Sequence, residues 1–254
     1  MNYFKQGIWI GALAAAFTGS AAAAEIYVMS AGAAKAAVQP LVESFEKASG
    51  HKVSVSFGTM GLIQEKLGKG ERADVLIVAS EVADDLQQRN VITGGSRKAL
   101  AKVGIGVAVN EKTAVMPDIS TPEAFKQTLL NAKSIVYIDP TKGTSGKHLV
   151  TVFERLGISA QVNAKARLGD GGYIVAPVGT GEVELGLHQI SEILPVKGVK
   201  LVGPLPEALQ KWTTYTAALT PGSTAPDAAR ELISYLAGPQ AKPVYLAKGF
   251  LPAD

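Results

Sequence analysis

No cysteine occurs in the 254 residues, which excludes a disulfide framework, thiol chemistry and a cysteine-borne lipid anchor. Histidine is almost as scarce. His51, His148 and His188 stand far apart with no H-x-x-x-H spacing, so neither a metal site nor a cofactor is expected. No G-x-S-x-G occurs. The phosphate-binding pattern G-x-x-x-x-G-K-[ST] fails at its first glycine, where Thr141 stands, and at its last position, where His148 stands. A serine hydrolase using His148 or His188 is conceivable from residue types, but nothing in the pattern assembles a nucleophile, a base and an orienting acid. No catalytic residue is assigned. Charge of one sign is lacking too: 25 Lys and Arg stand against 22 Asp and Glu, scattered along the chain, for a formal net charge of +3. That balance leaves no nucleic-acid footprint.

Long apolar runs are missing apart from one near the start. Gly7 to Phe17 (GIWIGALAAAF) is shorter than the ~20 residues of a membrane span. Lys5 before it, and Ala22 and Ala24 after it, make a secretory signal with cleavage after Ala24. The expected product is a soluble, exported, monomeric protein, suited to a bacterial periplasm.

What is present is organised around Ser134 to Leu149, SIVYIDPTKGTSGKHL. Ile135 to Ile138 read as a buried strand stopped by Asp139 and Pro140. After Gly143 to Gly146, the residues Leu149, Val152, Phe153 and Leu156 recur at helical spacing. Such a strand–turn–helix offers unpaired backbone N–H groups and the positive end of a helix dipole, an anion site in outline. Helix capping by Thr144 or Ser145 explains the same residues.

Similar turns end other strands: Ser30 to Ala33 after EIYVMS, Gly58 to Gly61 after VSVSF, Ala79-Ser80 after ADVLIVAS. Small residues there suit tight turns sterically, and they equally suit a shared cleft beyond the carboxyl ends of a doubly wound α/β sheet. The turns Ser30–Lys35 and Thr59–Gly61 are expected to face Thr144–Lys147 and Gly171–Tyr173. Pro40 places the start of the first regular helix near Val38. Thr121, with Pro122 after it, caps a helix to Lys133, and the stretch from Gly157 to Arg167 reads as irregular. A signal is expected at 1–24, and the strand-like run VGIGVAVN after Lys102 is where the chain could pass into a second lobe.

The segment VMSAGAAKAAVQPLVESFEKASGHKVSVSFGTMGLIQEKLGKGERADVLIVAS resembles the opening of periplasmic molybdate-binding proteins of ABC importers. YIDPTKGTSGKHLVTVFERLG, GEVELGLHQISEI and the terminal LAGPQAKPVYLAKGF follow in the same order. The resemblance implies a two-lobed periplasmic-binding-protein type 2 fold, with a doubly wound sheet in each lobe and the ligand cleft between; the first lobe is expected at 25–104, completed by about 214–254, and the second at 105–213. It further implies a small anionic ligand and an inner-membrane ABC permease as partner.

The resemblance also places the ligand contacts. Ala33 and Met60 stand where the family has serine hydroxyls, with Thr59 beside Met60. Ser145 and the Gly171 backbone match family donors, and Gln189 replaces a tyrosine. Two hydroxyl donors are thus lost, and Ser30, Thr144 or Lys147 are the candidates to replace them. Lys35, Lys147 and His148 suit carboxylates as well as oxyanions, while Met60 and Tyr173 add apolar wall. Two ligand classes remain, molybdate or tungstate and a small polycarboxylate. A secreted enzyme on the same fold is the alternative to a binding protein.

Overall fold

The computed structural model describes residues 23–253. The apolar core of the predicted signal and its Ala22 lie outside the described residues. The strands are β1 (Glu25–Ala31), β2 (Lys52–Gly58), β3 (Val75–Ala79), β4 (Lys98–Val103), β5 (Ile105–Asn110), β6 (Ile135–Ile138), β7 (Ala166–Gly169), β8 (Leu185–Gln189), β9 (Val199–Pro204), β10 (Thr213–Leu219) and β11 (Leu251–Pro252). Between them run the helices α1 (Lys35–Ser49), α2 (Met60–Gly68), α3 (Ser80–Gln88), α4 (Pro122–Asn131), α5 (Thr144–Leu156), α6 (Ser159–Asn163), α7 (Ala176–Thr180), α8 (Ile190–Ile193), α9 (Pro226–Leu236) and α10 (Lys242–Ala247).

Two sheets form, in the orders β11-β4-β10-β3-β1-β2 and β7-β6-β8-β5-β9. Parallel pairs build the heart of each: β1 with β2 and β3, and β6 with β7 and β8. Continuous apolar strands are what a sheet covered on both faces requires, and β3 is buried at every residue. Antiparallel strands make both sheets mixed. β10 runs between β3 and β4, and β5 lies against β8 and β9. They arise where the chain changes sheets: it leaves the first at Gly104, between β4 and β5, and re-enters it between β9 and β10.

Each sheet has its own apolar core. Ile26, Val38, Leu76 and Leu232 pack in the first, and Phe125, Leu149, Phe153 and Leu187 in the second. Two elements differ from the expected ones. The first helix starts at Lys35, not near Val38, behind a 3-10 turn at Gly32–Ala34, and Pro40 lies inside it. The buried stripe Ala37, Val38, Leu41, Val42 and Phe45 outweighs the one amide bond that proline removes. After Gly157 the chain is ordered too, forming α6 and then β7, which pairs in parallel with β6.

Candidate functional site

A cleft of about 740 Å³ opens where strands of both sheets end. From the first sheet come Ala31, Gly32, Ala33 and Lys35 at the end of β1, and Phe57 to Leu62 at the end of β2. Opposite them stand Thr141 to Ser145 beyond β6 and Asp170 to Tyr173 beyond β7. Glu65, Ile138, His188, Gln189, Glu192 and Tyr215 complete the lining. The two rims touch: Gly61 N–H donates to Lys142 O at 3.2 Å. Beside this contact Gly171 has a φ of +138°, and a Cβ there would stand 2.7 Å from the Thr59 methyl. Only glycine fits both the conformation and the approach.

The turn after β6 shows how the sequence builds the anion seat. Asp139 Oδ1 accepts from Thr141 N at 2.8 Å and from Thr141 Oγ1 at 2.6 Å, which folds the D-P-T segment back. The N-cap of α5 is Gly143, which makes no side-chain cap bond. Neither Thr144 nor Ser145 is the cap. The Lys147 N–H bonds to Gly143 O at 3.1 Å, so the amides of Thr144, Ser145 and Gly146 lack intrahelical acceptors. Gly146 permits close helix–strand packing, since a Cβ there would meet Ile138 O at 2.1 Å. On the facing sheet the 3-10 turn at Gly32–Ala34 likewise has no side-chain cap and leads into α1. Two helix starts therefore direct backbone donors and positive dipole ends at one space.

The floor carries charge of the opposite kind. Glu192 lies in the first turn of α8, with its side chain 8% exposed, and its Oε2 is 3.1 Å from His188 Nε2. The same Nε2 is 3.0 Å from Gly172 O. Burial disfavours a charged His188, but the adjacent Glu192 carboxylate and the bonds to Glu192 and Gly172 outweigh it. The net effect holds the pKa of His188 above its ordinary value. His188 Nδ1 and Gln189 Oε1 are buried without hydrogen-bond partners. Burial first, and the charge of Glu192 second, push the Tyr215 phenol far up, so it stays protonated.

Ala33, Lys35, Thr59, Met60, Thr144, Ser145, Gly171, Tyr173 and Gln189 all line the cleft. Ala33 and Met60 are buried wall, at 5% and 8% exposed. Thr59 caps α2, accepting from Leu62 N–H at 3.2 Å, which leaves its hydroxyl proton to donate. Lys35 Nζ sits 5.6 Å from the centroid of the Phe57 ring. Three expected contacts lie elsewhere. Ser30 is fully buried on the strand face opposite Ala31, its hydroxyl donating to Ala31 O at 3.3 Å. Lys147 is exposed, a turn further along α5 from the mouth. His148 is held against Leu209 O at 2.8 Å.

The residues that sequence reasoning missed are His188, Glu192 and Tyr215. The available signal was the i, i+4 spacing of His188 and Glu192 in HQISE, at the end of a strand. Among the described residues no group of His, Asp and Glu is placed to hold a metal ion.

The sequence model for bacterial extracellular solute-binding proteins matches residues 26–251. An aconitate isomerase of Pseudomonas sp. is 34% identical over 230 residues, 89% of this chain and 87% of that one. The molybdate-binding protein ModA of Azotobacter vinelandii is 31% identical over 244 residues, 91% of each chain. Among solved structures, a periplasmic molybdate-binding protein of Azotobacter vinelandii superimposes with a TM-score of 0.76 at 18% identity, covering 90% of this chain and 100% of that one.

Proposed function

The chain belongs to the bacterial extracellular solute-binding protein family, and from that premise we propose that it captures a small di- or tricarboxylate in the cleft. It works in the periplasm and delivers the ligand to an inner-membrane ABC permease. The lobes divide at about residues 104 and 213. The observation that carries the ligand class is the pair Ala33 and Met60. Both are buried in the cleft wall, and neither side chain offers a donor. Each unmet oxygen of a bare tetrahedral dianion then costs on the order of 1–3 kcal/mol.

A polycarboxylate distributes its charge instead. One carboxylate takes the amides at the start of α5, another those near Gly32, and the carbon skeleton lies against Phe57, Met60 and Tyr173. Glu192 in the floor argues the same way, since it repels a compact dianion more than a ligand with carbon at that point. Aconitate, the tricarboxylate in the name of the Pseudomonas relative, is the first probe.

Titration calorimetry with trans-aconitate, citrate and molybdate tests the reading. One tricarboxylate is expected to bind at least about tenfold more tightly than molybdate, a difference of about 1.4 kcal/mol. Saturable molybdate binding with no carboxylate heat overturns it and leaves the oxyanion ligand.

A further inference from the structure

We propose that the cleft is also catalytic: Glu192, held by His188, takes a proton from one carbon of a bound unsaturated tricarboxylate and returns it two carbons away, interconverting the geometric isomers. The inference rests on the reading of the cleft as a polycarboxylate site. Its starting point is a conflict. A cleft whose donors come from two helix starts attracts anions, yet its floor carries a carboxylate. For capture alone this is a liability; for proton transfer it is the required group.

The geometry divides the two oxygens of Glu192 by task. Oε2 faces His188 Nε2 at 3.1 Å, and that imidazole is fully buried and tied to Gly172 O at 3.0 Å. Oε1 faces Gly32 on the opposite rim, 3.3 Å from where a Cβ on Gly32 would stand. Both residues line the cleft, and the absence of that Cβ leaves room beside the oxygen. His188 acts as a positioning residue. Its Nε2, 3.1 Å from Oε2, fixes the rotamer of the carboxylate.

In aconitate a methylene group lies between a carboxylate and the double bond. As its C–H bond breaks, an O–H bond forms at Glu192, and the electron pair spreads over three carbons and the attached carboxylates. Glu192 then gives the proton to the former vinylic carbon, and the double bond has moved one place. Its geometry is reset because it has formed anew. One proton leaves and one returns, with no change of oxidation state. The amides of Thr144 and Ser145 stabilise the charge that grows on a carboxylate at the α5 start.

The test pairs calorimetry with proton NMR on the full chain and trans-aconitate. The expected result is saturable binding together with appearance of the cis isomer above the buffer rate. Glu192→Gln is expected to lower turnover by about 100-fold or more, and Glu192→Asp, which keeps a carboxylate, to retain part of it. Heat of binding with each variant shows a folded cleft. His188→Asn is expected to lower kcat with little change in KM, as loss of positioning predicts and loss of fold does not. Binding without isomerisation overturns the inference alone, as does full turnover in Glu192→Gln. Absence of binding overturns the ligand reading with it.

Discussion

Asp74 shows how a single carboxylate closes the first sheet. Its Oδ2 accepts from Tyr27 N at 2.8 Å, and its Oδ1 from Ser223 Oγ and Thr224 N at 2.7 Å each. It thereby joins β1 to the segment after β10. Burial raises its pKa, but the hydrogen bonds from Tyr27, Ser223, Thr224 and Ala225 together outweigh burial and hold it below the usual carboxylate range. A group depressed in this way contributes its full stability above its unfolded pKa, ~3.9, and loses it as pH falls through the folded value. Asp74→Asn is therefore expected to melt lower at neutral pH, by about 2–3 kcal/mol, and to show a flatter acid limb below about pH 4. Melting curves from pH 2 to 7 check it; an acid limb as steep as that of the unchanged chain contradicts the assignment.

At the same scale, the sequence exposes the cleft wall more readily than the floor. Ala33 and Met60 are legible because their turns follow apolar strands with obvious ends. His188 and Glu192 are not, because their relation exists only once β8 stops at Gln189 and α8 begins at Ile190. Read as spacing alone, three scattered histidines suggest nothing.

Among elements, β6 and α5 are the most legible pair, since a buried strand, the D-P stop and a helical stripe each obey a separate rule. What the pattern leaves open is which residue caps the helix. That depends on backbone angles, and Gly143 takes the extended conformation, φ −129° and ψ 146°. At Thr121 the same reasoning succeeds, with Oγ1 accepting from Ala124 N at 3.1 Å. The start of α1 was obscured by Pro40, whose local penalty yields to tertiary packing. The turn after β7 is expected to be intolerant. In Gly171→Ala the positive φ is strained and the new methyl meets the Thr59 side chain, so the rims are held apart. We expect affinity for the bound tricarboxylate to fall by about tenfold or more, since strained backbone of this kind costs ~1–3 kcal/mol. Calorimetry decides; unchanged affinity means that the rim contact plays no part in binding.

For the whole molecule, alternating strands and helices announce the α/β class, but not the two sheets, because a chain crossing between sheets leaves no local mark. The crossings are visible only in contacts. Gly104 sits where a Cβ would meet Trp212 at 2.9 Å and Gln210 at 3.0 Å, and Gln210 bonds both Ile105 N and Ile105 O. The outgoing and returning segments thus lie side by side, which is the arrangement a hinge needs. A ligand that bridges helix starts on both sheets binds the closed, folded form and has no counterpart in the unfolded chain. At 100 times its Kd it adds about 2.7 kcal/mol, which for a chain of this size raises Tm by about 5–10 °C. A melting panel of di- and tricarboxylates, molybdate, tungstate and sulfate is expected to show that shift for one or more tricarboxylates. The increment should grow with the logarithm of ligand concentration, as mass action on a single site requires. A shift with the tetrahedral anions alone assigns the cleft to an oxyanion, and Ala33 and Met60 then serve only as wall.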